Sequence, residues 1–157
     1  MSQAQPIFIA LFGATGGVSK SFLPQLSHLR DRLSKRTPPI DIRLILARNS
    51  KKQVLTERYN PLDINTVVKD LNDSKKPYLD FDEIVDFLAA APGKVVLIDN
   101  TADLGLGKNY PKALRKGISI VTANKKGFSD NIKLWDDIFS SAEKGNAHVF
   151  HESSCGA

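Results

Sequence analysis

Few folds accommodate the run Ile7-Phe8-Ile9-Ala10-Leu11-Phe12 broken off by Gly13-Ala14-Thr15-Gly16-Gly17. Six consecutive apolar residues predict a strand buried on both faces, as in a parallel sheet. Directly after the glycines, Val18, Phe22, Leu26, Leu29 and Leu33 recur at spacings of three and four, which predicts one buried face of a helix. Strand, tight glycine turn and helix open a doubly wound α/β domain. In that setting glycines let the backbone approach a pyrophosphate, and the free N–H groups of the helix N-terminus attract its charge. Pro24 lies too deep to be a first-turn proline, so the pattern predicts a kink or a helix that starts late.

The glycine spacing departs from the common G-x-G-x-x-G. Gly13 holds the first position, Thr15 the second and Val18 the third, with Gly16 and Gly17 between. The candidate phosphate cradle is therefore Gly13, Ala14, Thr15, Gly16, Gly17 and Val18. A βα turn can carry glycines without a ligand, but this one follows a buried-type strand and precedes an amphipathic helix, the context the phosphate reading requires.

The remainder reads as further parts of the same sheet. Ile40 to Ala47 is the second strand, after the loop Thr37-Pro38-Pro39. In NAD-binding domains an acid at the end of this strand accepts the ribose hydroxyls. Here the strand ends Arg48-Asn49-Ser50-Lys51-Lys52, with no acid. Arg48 can stack on adenine and, with Ser50, Lys51 or Lys52, pair with a 2′-phosphate, so NADP(H) is expected over NAD(H). Residues 53–80 are the least legible, with a helix expected to open at Pro61-Leu62-Asp63 and run through Val67, Val68 and Leu71. Phe81, Ile84, Val85 and Leu88 predict a helix capped by Asp80 or Asp82. Lys94 to Asp99 is the clearest internal strand, and it empties into Asn100-Thr101 at the ligand edge of such a sheet. A short helix to Lys116 follows, then a strand Ile118 to Val121. A helix capped by Ser129 or Asp130 is expected to bury Ile132, Trp135, Ile138, Phe139 and Ala142, before a last strand His148 to His151. The expected fold is a mostly parallel Rossmann-type sheet with helices on both faces, forming one domain over residues 1–157.

Charge and cysteine usage narrow the function. Lysine and arginine exceed the acids by 22 to 17, but they are scattered and not interleaved with aromatics. That favours an anionic small molecule over nucleic acid. No stretch is long enough to cross a bilayer, so no membrane partner is expected. Cys155 is the single cysteine, and His28, His148 and His151 form no metal spacing with it. A reducing cytoplasmic location is the default expectation.

Three segments then carry a resemblance. Ile98-Asp99-Asn100-Thr101, Val121-Thr122-Ala123-Asn124-Lys125-Lys126-Gly127-Phe128-Ser129 and Phe150-His151-Glu152-Ser153-Ser154-Cys155-Gly156-Ala157 resemble, in order and spacing, homoserine dehydrogenase of the fungal type. The resemblance implies reversible hydride transfer between a nicotinamide and aspartate 4-semialdehyde, giving homoserine, on the way to threonine, methionine and isoleucine. It implies Lys125 as the catalytic lysine this domain contributes, stabilising or protonating the aldehyde oxygen as negative charge develops. Asn100, Thr101 and Asn124 would line the nicotinamide and ribose, and Glu152 would bind substrate. Main-chain carbonyls of Glu152, Cys155 and Ala157 would hold a monovalent cation such as sodium.

The family continues beyond the point matching Ala157 into a substrate-binding and dimerisation region, absent from this chain. The expectation is a cofactor half that binds a nicotinamide nucleotide, meets its small-molecule substrate only when completed, and turns over weakly or not at all alone. Homo-oligomerisation is compatible with this. The alternative is a non-catalytic NADP(H)-binding module or a truncated partner of a full-length enzyme. Aspartate-semialdehyde dehydrogenase also opens with a G-A-T-G-type loop, but Cys155 lacks the flanking asparagines of its nucleophile, and no base can be assigned to activate it.

Overall fold

A computed structural model describes residues 4–123 and 132–151. Its centre is β1 (Gln5–Phe12), which pairs in parallel with β2 (Ile40–Arg48) on one side and β4 (Lys94–Asp99) on the other. Phe8, Ala10 and Leu11 are wholly buried, as a continuous apolar run on a central strand requires. Beyond β4 lie β5 (Ser119–Thr122) and β6 (Val149–His151), both parallel. Beyond β2 lies β3 (Gln53–Leu55), which is antiparallel, giving the order β3-β2-β1-β4-β5-β6. The expected doubly wound, mostly parallel sheet is present. The antiparallel β3 carries no signal in the sequence, because Gln-Val-Leu is too short to show a period. It forms because Asn49 Oδ1 accepts the N–H groups of Lys51 (2.9 Å) and Lys52 (2.7 Å), turning the chain back at once.

Helices cover both faces. On one, α1 (Gly17–Ser34) and α2 (Val67–Asn72) bury Leu23, Leu26, Val67 and Leu71 against Ile9, Leu11, Ile42 and Leu44. On the other, α3 (Phe81–Ala89), α5 (Tyr110–Arg115) and α6 (Ile132–Gly145) pack with Phe8, Ala10, Leu97 and Ile120, after the short α4 (Leu104–Lys108). Asp80 caps α3 in a reciprocal box with Glu83.

Four expectations need correction. The first helix starts at Gly17 and runs on through Pro24, so it does not start late. Val18 is 51% exposed and is not on its buried face, where Ser19 packs instead. Pro61-Leu62-Asp63 opens a turn, with Asp63 accepting from Asn65 and Thr66, and α2 begins only at Val67. Ile132 and Trp135 are exposed. Helix α6 approaches α5 so closely at Gly145 that a Cβ there would lie 1.8 Å from the Leu114 carbonyl oxygen. That approach commits the Ile138, Ala142 and Gly145 side of α6 to α5. Trp135 is left at the margin beside Phe139 and His151, with ring centroids 4.9 and 5.6 Å away.

Candidate functional site: the crevice at the ends of β1, β2 and β4

The strand order turns at β1: the chain leaves β1 for β2 on one side and returns through β4 on the other. The carboxyl ends of β1 and β4 diverge there, which is where ligands bind in open α/β sheets. Gly13, Arg48 and Thr101 line a cavity of about 410 Å³ at this point, together with Tyr78, Asp103 and Asn109.

Gly13 is held from three sides. Its φ of +79° is a left-handed value, and an added Cβ would lie 2.9 Å from the Asn100 carbonyl carbon. The N–H groups of Gly13 and Ala14 both donate to the Arg48 carbonyl, at 2.9 and 3.0 Å. Ala14 is buried in the core beneath α1, so neither its side chain nor its N–H is left for a ligand. Ser19 Oγ donates to the Gly13 carbonyl (2.8 Å) and accepts from Asn100 Nδ2 (3.1 Å). Ser19, which nothing in the spacing singled out, thus ties the glycine turn to the end of β4.

The first turn of α1 is left uncapped. Gly16 occupies the N-cap and offers no side chain, and no acid stands in the first turn. The Gly17 and Val18 N–H groups have no partner among the described residues, the condition that suits an anion. A Cβ on Gly17 would meet nothing within 4 Å. Gly17→Ala is therefore expected to raise stability by a few tenths of a kcal/mol through helix propensity. It is also expected to weaken nucleotide binding about tenfold, by filling the space a pyrophosphate would approach. Parallel melting and binding curves check the opposite signs.

At the end of β2, Arg48 is 8% exposed. Its Nε donates to Tyr78 Oη (3.0 Å), its Nη1 to the Leu79 carbonyl (3.3 Å), and its guanidinium carbon lies 3.8 Å from the Tyr78 ring centroid. Phe12 lies 5.1 Å away. The guanidinium face expected to stack on adenine is already covered by Tyr78. No carboxylate pairs with Arg48 among the described residues. Ser50 lines the cavity, whereas Lys51 is on the exposed turn outside it and Lys52 Nζ bonds the Asn72 carbonyl.

At the end of β4, Asp99 is fully buried. Its Oδ1 accepts from the Thr101 N–H (2.8 Å) and hydroxyl (2.6 Å), and its Oδ2 from the Tyr110 hydroxyl. Tyr110 in turn lies 2.9 Å from Thr122 Oγ1. Thr101 faces the cavity because this buried carboxylate fixes its backbone and hydroxyl, while Asn100 is occupied by Ser19. Asn124, Lys125, Glu152, Cys155 and Ala157 lie outside the described residues. Among the described residues no group of His, Cys, Asp and Glu could hold a metal ion, and no helix is long and apolar enough to cross a membrane.

A glycine turn, an uncapped helix start and a switch-point cavity define a dinucleotide-binding module of the Rossmann type. The chain belongs to the NAD-binding domain family of homoserine dehydrogenase: the family profile "Homoserine dehydrogenase, NAD binding domain" matches residues 15–152. The homoserine dehydrogenase of Emericella nidulans is 43% identical over 158 residues, covering 97% of this chain and 40% of that protein. That of Saccharomyces cerevisiae is 31% identical, covering 95% and 39%. The chain thus spans about 40% of the length of the curated relatives it matches. Among solved structures, a Candida auris protein of unknown function is 29% identical with a TM-score of 0.74, covering 96% of this chain and 39% of that one. A hyperthermophilic archaeal homoserine dehydrogenase in complex with NADPH is 19% identical, with a TM-score of 0.73, covering 96% and 44%, a likeness of fold.

Proposed function

We propose that this chain is the cofactor-binding part of a homoserine dehydrogenase, taking NADP(H) in preference to NAD(H). The observation that carries the preference is Arg48, a buried cation that lines the cavity without a carboxylate partner among the described residues. A buried charge without a counter-ion is costly, and a ligand phosphate relieves it. The pyrophosphate would lie at the Gly17 and Val18 amides, and the 2′-phosphate would reach Arg48, with Lys51 near enough on its turn to add long-range attraction. That an archaeal homoserine dehydrogenase of the same fold is found in complex with NADPH supports a nicotinamide nucleotide as the ligand.

The chemistry would be hydride transfer between the nicotinamide and aspartate 4-semialdehyde or homoserine. Asn100, Thr101 and Asn124 would border the nicotinamide ribose, Lys125 would meet the developing alkoxide, and Glu152 would bind substrate. A sodium-class cation on the main chain at Glu152, Cys155 and Ala157 belongs to the same reading, as does a cytoplasmic setting. Residues beyond this chain would complete the substrate pocket, so homoserine oxidation by the chain alone is expected to be at most a trace. The alternative, a non-catalytic NADP(H)-binding module or a truncated partner of a full-length enzyme, shares every cofactor contact and differs only in giving no turnover of its own.

Arg48→Gln tests the phosphate assignment. NADPH affinity is expected to fall about 10- to 100-fold, the loss of a charge-assisted contact, while NADH affinity changes less than about twofold. Equal losses for both nucleotides would remove Arg48 from the phosphate site.

A further inference from the structure

Within the NADP(H) reading of Arg48, on which this step rests, we infer that Tyr78 is the positioning residue that presents the arginine to the 2′-phosphate. A free arginine side chain samples many rotamers, and much of its entropy must be lost before two N–H groups can meet one phosphate. Here contacts within the protein itself meet that loss. The Tyr78 ring lies against the guanidinium at 3.8 Å, and its hydroxyl accepts from Nε at 3.0 Å. The same hydroxyl donates to the Asn49 carbonyl at 2.8 Å, which anchors the ring to the turn that follows β2. The Leu79 carbonyl takes one N–H of Nη1. Of five guanidinium N–H donors two are engaged, so Nη2 and the second N–H of Nη1 have no partner among the described residues. An arginine 8% exposed and left with an open edge at a cavity is prepared for an anion.

The segment bearing Tyr78 is itself fastened to β3. Gln53 is fully buried, and its Nε2 donates to the Pro77 carbonyl (2.9 Å) while Ser74 Oγ donates to the Gln53 carbonyl (2.6 Å). This gives the antiparallel edge strand a role: it holds residues 74–79 so that Tyr78 closes over Arg48. Tyr78 is still 45% exposed. It acts on the ligand through Arg48, so its removal affects the phosphate-bearing nucleotide selectively.

The test is to measure NADPH and NADH dissociation constants for the wild-type chain, Tyr78→Phe, Tyr78→Ala and Arg48→Gln. Tyr78→Ala is expected to weaken NADPH about tenfold, through loss of stacking and hydrogen bond together. NADH is expected to change less than about twofold. Tyr78→Phe keeps the ring and loses only the hydroxyl, so a NADPH loss of about threefold is expected, and it serves if the alanine variant does not fold. Equal weakening of both nucleotides would overturn the inference by making Tyr78 a general wall of the pocket. Unchanged or tighter NADPH binding would overturn it too, making the ring a bystander or a cover that must leave. If Arg48→Gln removes the NADPH preference and the Tyr78 variants do not, this inference fails alone. If the wild-type chain shows no preference, or Arg48→Gln leaves one intact, the phosphate reading of Arg48 fails first.

Discussion

Alanine at Gly13 is expected to abolish measurable nucleotide binding, at least about 100-fold, and to cost about 2–4 kcal/mol of stability. Two effects combine. The φ of +79° is one that a residue with a Cβ adopts only with strain. In addition, the new methyl would lie 2.9 Å from the Asn100 carbonyl carbon, 3.0 Å from its oxygen and 3.1 Å from Thr101 Cγ2. Backbone cannot rotate aside as a lysine tip can, so the ends of β1 and β4 must separate. That movement disturbs the Gly13 and Ala14 bonds to the Arg48 carbonyl and the Ser19 bond to the Gly13 carbonyl. The glycine turn, the arginine and the β4 edge therefore shift together. Denaturant unfolding measures the stability loss. Binding measured at low temperature, where the variant is still folded, separates site damage from unfolding.

Asp99→Ala is the second large effect, expected mainly on stability. Its buried carboxylate accepts from the Thr101 amide and hydroxyl and from Tyr110, so truncation leaves those donors facing an empty space. Orphaned buried donors and the cavity together make about 3–5 kcal/mol the expected cost, or a fall in Tm of about 6–20 °C for a domain of this size. Asp99→Asn keeps an acceptor for Thr101 but turns its amide NH2, a donor, toward Tyr110. About half the loss is expected. Calorimetry of the two variants checks the order. Because the Asp99 carboxylate links the end of β4 to Tyr110 of α5 and to Thr101, the nucleotide edge of the sheet is expected to loosen with it.

Legibility in the sequence follows the range of the interactions. The parallel core strands were readable because burial on both faces forces unbroken apolar runs such as Val95-Val96-Leu97-Ile98. The Asp80 cap was readable because capping is complete within three residues. The family was readable because the segments at the ends of β4, β5 and β6 keep their order. Arg48 stood out by the absence of an acid. Its partner Tyr78 could not, since it comes from 30 residues away and is held by an edge strand with no period of its own. Ser19 was hidden because a serine in a helix pattern reads as a solvent position, yet it is fully buried. Asp99 reads in sequence as the last residue of a buried strand, but its carboxylate, bonded to Tyr110 and to the Thr101 amide and hydroxyl, is the fastener that orients Thr101.

The most direct test of the account is calorimetric titration of the purified chain with NADPH and, separately, with NADH. One NADPH per chain is expected, about tenfold or more tighter than NADH, with affinity falling as salt rises because the contact at Arg48 is charged. Binding of neither nucleotide, or equal affinity for both, would contradict the account.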